Sequence, residues 1–172
     1  SDPSKTAREE DAMIAWAWRE YLVAPKHDPR WLPRLPMVKG GFSAMKAAAE
    51  WAHKTGIAKI DGWVVGGASK RGWTSWLTAA VDPRIKATIP LVIDVLNMPA
   101  QMEYQKATWG HYSEQINDYT ERGLQDVLGT GEEKSLTALV DPYSYRSQLT
   151  MPKLSVIGTN DPYWVLDALN LY

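Results

Sequence analysis

The sequence predicts an α/β fold in which a parallel sheet is flanked by helices and a helical insertion precedes the last strand. Three observations carry this. Short apolar runs at 59–67, 85–94 and 152–158 alternate with stretches of helical periodicity, the pattern of β–α–β crossovers. The first run ends in Gly66-Gly67-Ala68-Ser69 and passes straight into a helical stretch, so it closes in a tight strand-to-helix turn. Between the second and third runs, residues 97–150 are polar and aromatic with no strand signal.

Taken in order, Ala12, Ile14, Ala15, Trp18 and Leu22 recur at helical spacing behind acidic Glu9, Glu10 and Asp11, which predicts a helix over 6–23 with a favourable charge at its N-terminus. Residues 27–36 hold three prolines in eight positions, and the expectation there is an ordered connector without regular structure. An Ala-rich stripe with Met45, Ala48, Ala49 and Ala52 predicts a second helix over 37–54, stopped by Gly56. A buried strand at 59–67, a helix at 70–81 closed by Asp82-Pro83, and a second strand at 85–94 follow. That strand is nearly all apolar, as befits a strand covered on both faces, although Pro90 removes one donor from its ladder. Helices are expected around 101–109, 112–122 and 132–140 within the insertion, then a strand at 152–158 and a short amphipathic helix to the end.

Only three strands are legible, and a three-stranded parallel sheet with two open edges makes a poor domain alone. The chain is therefore expected to be the central part of one domain, residues 1–172 of a longer protein, with other parts of the same protein completing the sheet. A net charge of −1 and a pI near 6.3 give no electrostatic basis for nucleic-acid binding. No apolar run approaches the roughly 18 residues of a membrane span. Zero cysteines exclude a disulfide framework, a thiol nucleophile and a cysteine zinc site, and no cofactor or metal motif is present. Nine tryptophans against one phenylalanine point first to packing by large rings.

The chemistry gathers at Gly67-Ala68-Ser69-Lys70-Arg71-Gly72. A serine hydroxyl attacks a carbonyl when it is exposed, close to a base, and next to N–H groups that hold the oxyanion. A strand–turn–helix nucleophile elbow meets the first and third needs: it displays Ser69 on a strained turn, and the backbone N–H of Lys70 becomes an oxyanion donor. Gly66, Gly67 and Ala68 leave room for the crossing chain, whereas Arg71 occupies the second small position of the usual G-x-S-x-G pattern and Gly72 comes one place later. The alternative is a plain turn with Ser69 as helix cap. Lys70 and Arg71 weigh against it, because cations in a first turn oppose the helix dipole by about 0.3–1 kcal/mol each. Their expected use is to bind a carboxylate of a substrate or of a neighbouring strand, with plain solvated surface charge as the alternative.

The block from Gly67 through Ser69-Lys70-Arg71-Gly72-Trp73 to Asp82-Pro83-Arg84, with Leu35-Pro36-Met37 upstream and Ile93-Asp94-Val95-Leu96-Asn97-Met98 downstream, resembles the PhoPQ-activated pathogenicity-related protein family over most of the chain. The resemblance implies a partial α/β-hydrolase fold with Ser69 as nucleophile. It also implies a longer, exported protein, secreted or periplasmic, with links to virulence and antimicrobial-peptide resistance.

In the hydrolase order the acid follows the serine and the histidine comes last. Asp161, just after the last predicted strand, fits the acid, the alternative being an Asp-Pro turn of the kind common in loops. Asp94, also past a strand end, competes for the role, and its family-like context suggests positioning or substrate contact instead. No histidine follows Asp161; His27, His53 and His111 all precede it. The base is therefore expected beyond Tyr172, with His111 the least unsuitable substitute. The insertion carries Tyr104, Trp109, His111, Tyr112, Tyr119, Tyr143 and Tyr145, and is expected either to wall the site with aromatic rings or merely to seal itself onto the domain. The candidate site is thus Ser69 and Asp161 as catalytic groups, the Lys70 N–H at the oxyanion, and Arg71, Asp94, Trp109 and His111 toward a small ester or peptide substrate. The other reading is a non-catalytic binding or signalling module on the same scaffold.

Overall fold

In the computed structural model, which describes residues 7–128, 130–131 and 134–172, helix α1 spans Glu10–Val23 and buries Ile14, Ala15, Ala17, Trp18 and Tyr21. Those positions share one face of a 3.6-residue helix. Thr6, the expected start of that helix, and Glu132, the expected start of the 132–140 helix, lie outside the described residues. The proline-rich connector is shorter than expected. A single 3₁₀ turn covers Pro29–Trp31, and α2 runs over Arg34–Thr55 with Pro36 inside its first turn. Proline is tolerated there because the first N–H groups of a helix have no intrahelical acceptor. Gly56, at φ 67°, closes α2 with a left-handed cap.

Strand β1, Trp63–Ala68, pairs in parallel with β2, Ile85–Leu91, and the crossover between them is α3, Lys70–Val81. Helix α3 packs Trp73, Trp76, Leu77 and Ala79 into the core. The fold is thus a mixed helix–strand arrangement around a small parallel sheet. Residues 152–157 run parallel beside β2, but as two isolated bridges, Thr88 to Lys153 and Leu91 to Val156, in place of the regular strand expected. The cause is Pro90. Thr88 and Val92 donate to Pro152 and Val156, and Leu154 and Val156 donate back to Thr88 and Pro90, so the one missing rung is the N–H that Pro90 lacks.

Along β2, the strand expected to be covered on both faces, only Lys86 is exposed, whereas the segments beside it are more open. The helices cover one face, while Val64, Leu154 and Val156 on the strands remain 59%, 59% and 43% exposed. Among the described residues no further strand pairs with either outer edge.

The insertion folds as α4 (Met98–Trp109), α5 (Asn117–Thr120), α6 (Leu124–Val127) and α7 (Lys134–Val140), the last followed by a 3₁₀ turn at Pro142–Tyr145. The final amphipathic segment is a 3₁₀ turn, Ala168–Leu171. Buried Asp141 ties the insertion together. Its carboxylate accepts from the N–H groups of Asn97 (3.2 Å), Met98 (2.8 Å) and Tyr143 (2.8 Å), capping α4 and the 3₁₀ turn at once. Asp141→Ala is expected to destabilise the full-length protein by about 2–4 kcal/mol, read by denaturant unfolding.

Burial raises the Asp141 carboxyl to about 6, against the backbone N–H groups that lower it. A folded-state pKa above the unfolded value means a proton is taken up on folding. The associated stability is complete below the ordinary carboxyl range and falls as pH rises to about 6. Asp141→Ala should abolish that slope; an unchanged slope would assign it to other groups.

Candidate active site around Ser69

Ser69 is the single residue between β1 and α3, with φ 52° and ψ −126°. A non-glycine residue reaches that region only at a cost of order 1–3 kcal/mol, so the surroundings must hold it there. They do so through two backbone bonds, Ser69 N–H to Leu91 O (2.9 Å) and Trp73 N–H to Ser69 O (3.0 Å). At the neighbouring strand end Val92 also has a positive φ, 45°. Two strained non-glycine residues therefore stand side by side where β1 and β2 end.

The crossing of strand and helix explains why the small residues fall where they do. A Cβ on Gly67 would lie 2.7 Å from the carbonyl carbon of Arg71. One on Gly72 would lie 2.6 Å from Gly67 O and 2.5 Å from Ile93 Cγ2. Gly67 thus admits the Arg71 backbone, and the second obligatory small position is Gly72, one place later than in G-x-S-x-G. Lys70 opens α3, so its N–H has no acceptor within the helix and points with the positive end of the helix dipole.

Ser69 and Asp161 line the same cavity, of about 570 Å³. Asp161 follows the bridged segment, and its Oδ1 accepts from the Tyr163 N–H (2.8 Å), an Asx turn that fixes the loop. The insertion bolts this loop in place: Gln105 Nε2 donates to Tyr163 O (2.7 Å), and Ser113 Oγ donates to Pro162 O (2.6 Å). Asp94 is placed differently. It is 1% exposed, lies outside the cavity wall, and accepts from the Tyr172 hydroxyl (2.6 Å). Burial pushes its carboxyl up and the nearby Asp161 charge adds to the rise, while the Tyr172 hydrogen bond opposes it.

The other sequence-stated site residues separate from Ser69. Arg71 is mostly exposed and lies 3.6 Å from Glu10. Trp109 and His111 line a distinct surface depression, which shares only Pro162 with the Ser69 cavity. His111 Nδ1 is 2.7 Å from Tyr112 O, and His27 Nδ1 is 2.9 Å from Ser135 Oγ. Among the described residues, no histidine lines the Ser69 cavity.

The cations after Ser69 have a use that the sequence left open. Lys70 Nζ pairs with Asp11 (2.8 Å) and Glu10 (3.1 Å) at the start of α1. These carboxylates raise the Lys70 ammonium against burial, the largest single influence, which lowers it. Tyr119 Oη donates to the other oxygen of Asp11 (2.9 Å). Arg34, 1% exposed, donates from Nη1 to Lys70 O (2.8 Å) and stacks over the Trp73 ring at 4.2 Å. Burial lowers its guanidinium to about 10, which leaves it charged at neutral pH. Asp11, Tyr119 and Arg34 thus hold the peptide that follows Ser69; the sequence singled out Tyr119 only as one of the insertion's aromatic rings, and Arg34 not at all. Asp11 read simply as a helix-start charge.

The insertion does wall the cavity, with a different chemistry from the one expected. It contributes Met98, Met102, Ile116, Tyr119, Leu124 and Leu128; of its seven aromatic and histidine side chains named above, only Tyr119 takes part. The rest are engaged elsewhere: Tyr104 donates to Asp167, Tyr112 lies under Lys106, and Tyr143 under Arg146.

No solved structure matches this chain. Among curated proteins it is similar to autocrine proliferation repressor protein A of Dictyostelium discoideum, 40% identical over 161 residues. That alignment takes in 94% of this chain and 32% of the relative, so the chain spans about a third of the relative's length. The model of the PhoPQ-activated pathogenicity-related protein family matches residues 2–172, elbow, insertion and Asp161 loop included. With a match of that extent, the chain belongs to the PhoPQ-activated pathogenicity-related protein family.

Proposed function

We propose that this chain is the central part of an α/β-hydrolase domain and carries the nucleophile and acid of a serine hydrolase acting on acyl esters or peptide bonds. The observation that carries the reading is the strained Ser69 at φ 52°, ψ −126°, on a strand-to-helix turn and in one cavity with Asp161. Ser69 Oγ attacks the carbonyl carbon and its proton passes to a histidine supplied from outside this chain. The carbonyl oxygen, now an oxyanion, is held by the Lys70 N–H and a second donor from elsewhere in the domain. Collapse expels the alcohol or amine, which takes the proton back; water then repeats the sequence on the acyl-enzyme and frees the acid. Asp161 orients the histidine. The same reading lets other parts of a longer protein cover Val64, Leu154 and Val156 and pair with the open sheet edges.

Ester hydrolysis by the full-length protein tests it, comparing two isosteric changes. Asp161→Asn is expected to lower kcat/KM by about 10³–10⁴, as loss of a triad acid does. Asp94→Asn should cost less than tenfold. No hydrolysis of any ester or amide, or a larger loss at Asp94 than at Asp161, would overturn the assignment. A non-catalytic binding module is the second reading, favoured by one observation: no histidine among the described residues lines the cavity. The relative's name, a proliferation repressor, fits a signalling role of that kind.

A further inference from the structure

The wall of the Ser69 cavity says what kind of group it is built to hold. On the side of the elbow it consists of Trp18, Trp73, Val92, Ile93 and Val95, and on the side of the insertion it is almost wholly aliphatic. Its charged and hydroxyl side chains cluster at the reacting end: Ser69 and the 158–164 loop with Thr159, Asp161 and Tyr163, beside an Asp11 whose two oxygens are already engaged by Lys70 and Tyr119. No cationic side chain other than the paired Lys70 lines it, so a substrate carboxylate or phosphate has no free cationic partner within the described wall. The loop 158–164 adds Thr159, Asn160, Tyr163 and Trp164, so the polar groups gather on the side of Asp161.

Resting on the serine-hydrolase reading above, we propose that the cavity is an acyl-binding site and that the substrates are esters or amides of medium-length aliphatic acids, the chain lying between Met98, Met102 and Leu128 on one side and Trp73 and Val95 on the other. A dry apolar cavity of about 150 Å³ holds a six-carbon ring, so a cavity nearly four times larger has room for an acyl chain of about eight carbons together with the leaving group. Each methylene added inside such a site strengthens binding about two- to fourfold. Besides Tyr119, whose hydroxyl is engaged by Asp11, Gln125 departs from the aliphatic insertion wall: it is buried, its Oε1 has no hydrogen-bond partner, and it lines the same space. Against an aliphatic chain that oxygen is a penalty, and its removal should favour the chain.

The test uses the full-length protein carrying Ser69→Ala, which binds without turnover, titrated with methyl butanoate, hexanoate and octanoate and followed by tryptophan fluorescence. Octanoate is expected to bind at least about tenfold more tightly than butanoate. Met102→Trp or Leu128→Trp, added to Ser69→Ala, should cancel that gain by filling the space, and Gln125→Leu should increase octanoate affinity about two- to tenfold. The opposite signs separate filling from general damage to the fold. Affinity independent of chain length, or a gain that survives both tryptophan variants, overturns the acyl site. Fluorophosphonate labelling of the wild-type serine is read alongside. Labelling with no chain-length dependence leaves the hydrolase standing and removes the acyl site. Chain-length dependence without labelling removes the hydrolase, and with it the claim that the acyl chain is a substrate.

Discussion

Ser69→Ala is expected, on the proposed serine-hydrolase reading, to lower ester hydrolysis by the full-length protein by about 10⁴- to 10⁶-fold, because the members of a triad act as a unit and little remains once the nucleophile is gone. Ser69→Gly should lose as much activity and yet differ in stability. At φ 52° a serine or alanine carries strain that glycine does not, of order 1–3 kcal/mol, offset in part by the larger backbone entropy that glycine loses on folding. The glycine variant is thus expected to be more stable than the alanine variant by about 1 kcal/mol, measured by denaturant unfolding. Retained hydrolysis in either variant, or a glycine variant that is the less stable of the two, would contradict a strained nucleophile at this position.

Gly72→Ala is expected to destabilise the protein by about 2–4 kcal/mol, the reverse of what helix propensity gives. Replacing glycine by alanine inside a helix ordinarily gains up to about 1 kcal/mol. Here the new methyl would meet Gly67 O at 2.6 Å and Ile93 Cγ2 at 2.5 Å, and a strand carbonyl has nowhere to move without shifting Ser69. Activity should fall with stability for that reason. Gly40→Ala in α2 is the control, since its Cβ would meet nothing within 4 Å, and it should stabilise by about 0.5–1 kcal/mol. If both substitutions stabilise, the close crossing of β1 and α3 is not what holds the elbow.

The elbow was the most legible part of the chain because its signals are local. Glycines before Ser69, a helix after it and Asp82-Pro83 as a stop locate α3 at Lys70–Val81 to the residue. Where long-range pairing decides, the sequence was less informative. Pro90 marked a weak rung in β2, but only the pairing with 152–157 shows which donor is missing and why that segment is two bridges. Arg34 sits in what reads as a proline-rich connector, and its partner Lys70 O is 36 residues away. Asp11 meets Lys70 over 59 residues and Tyr119 over 108. Such contacts leave no period or motif behind them. The insertion shows the same limit: its aromatic rings drew attention by residue type, yet its methionines and leucines are what line the cavity, because ordinary core-type spacing gives no sign of whether an apolar face packs on protein or on empty space.

Reaction of the full-length protein with a fluorophosphonate, mapped by mass spectrometry, tests the central claim most directly. The account predicts one modified peptide, with the adduct on Ser69 and none on Ser75, and no labelling after Ser69→Ala. Absence of an adduct under conditions that label a control serine hydrolase, or an adduct on another serine, would contradict it.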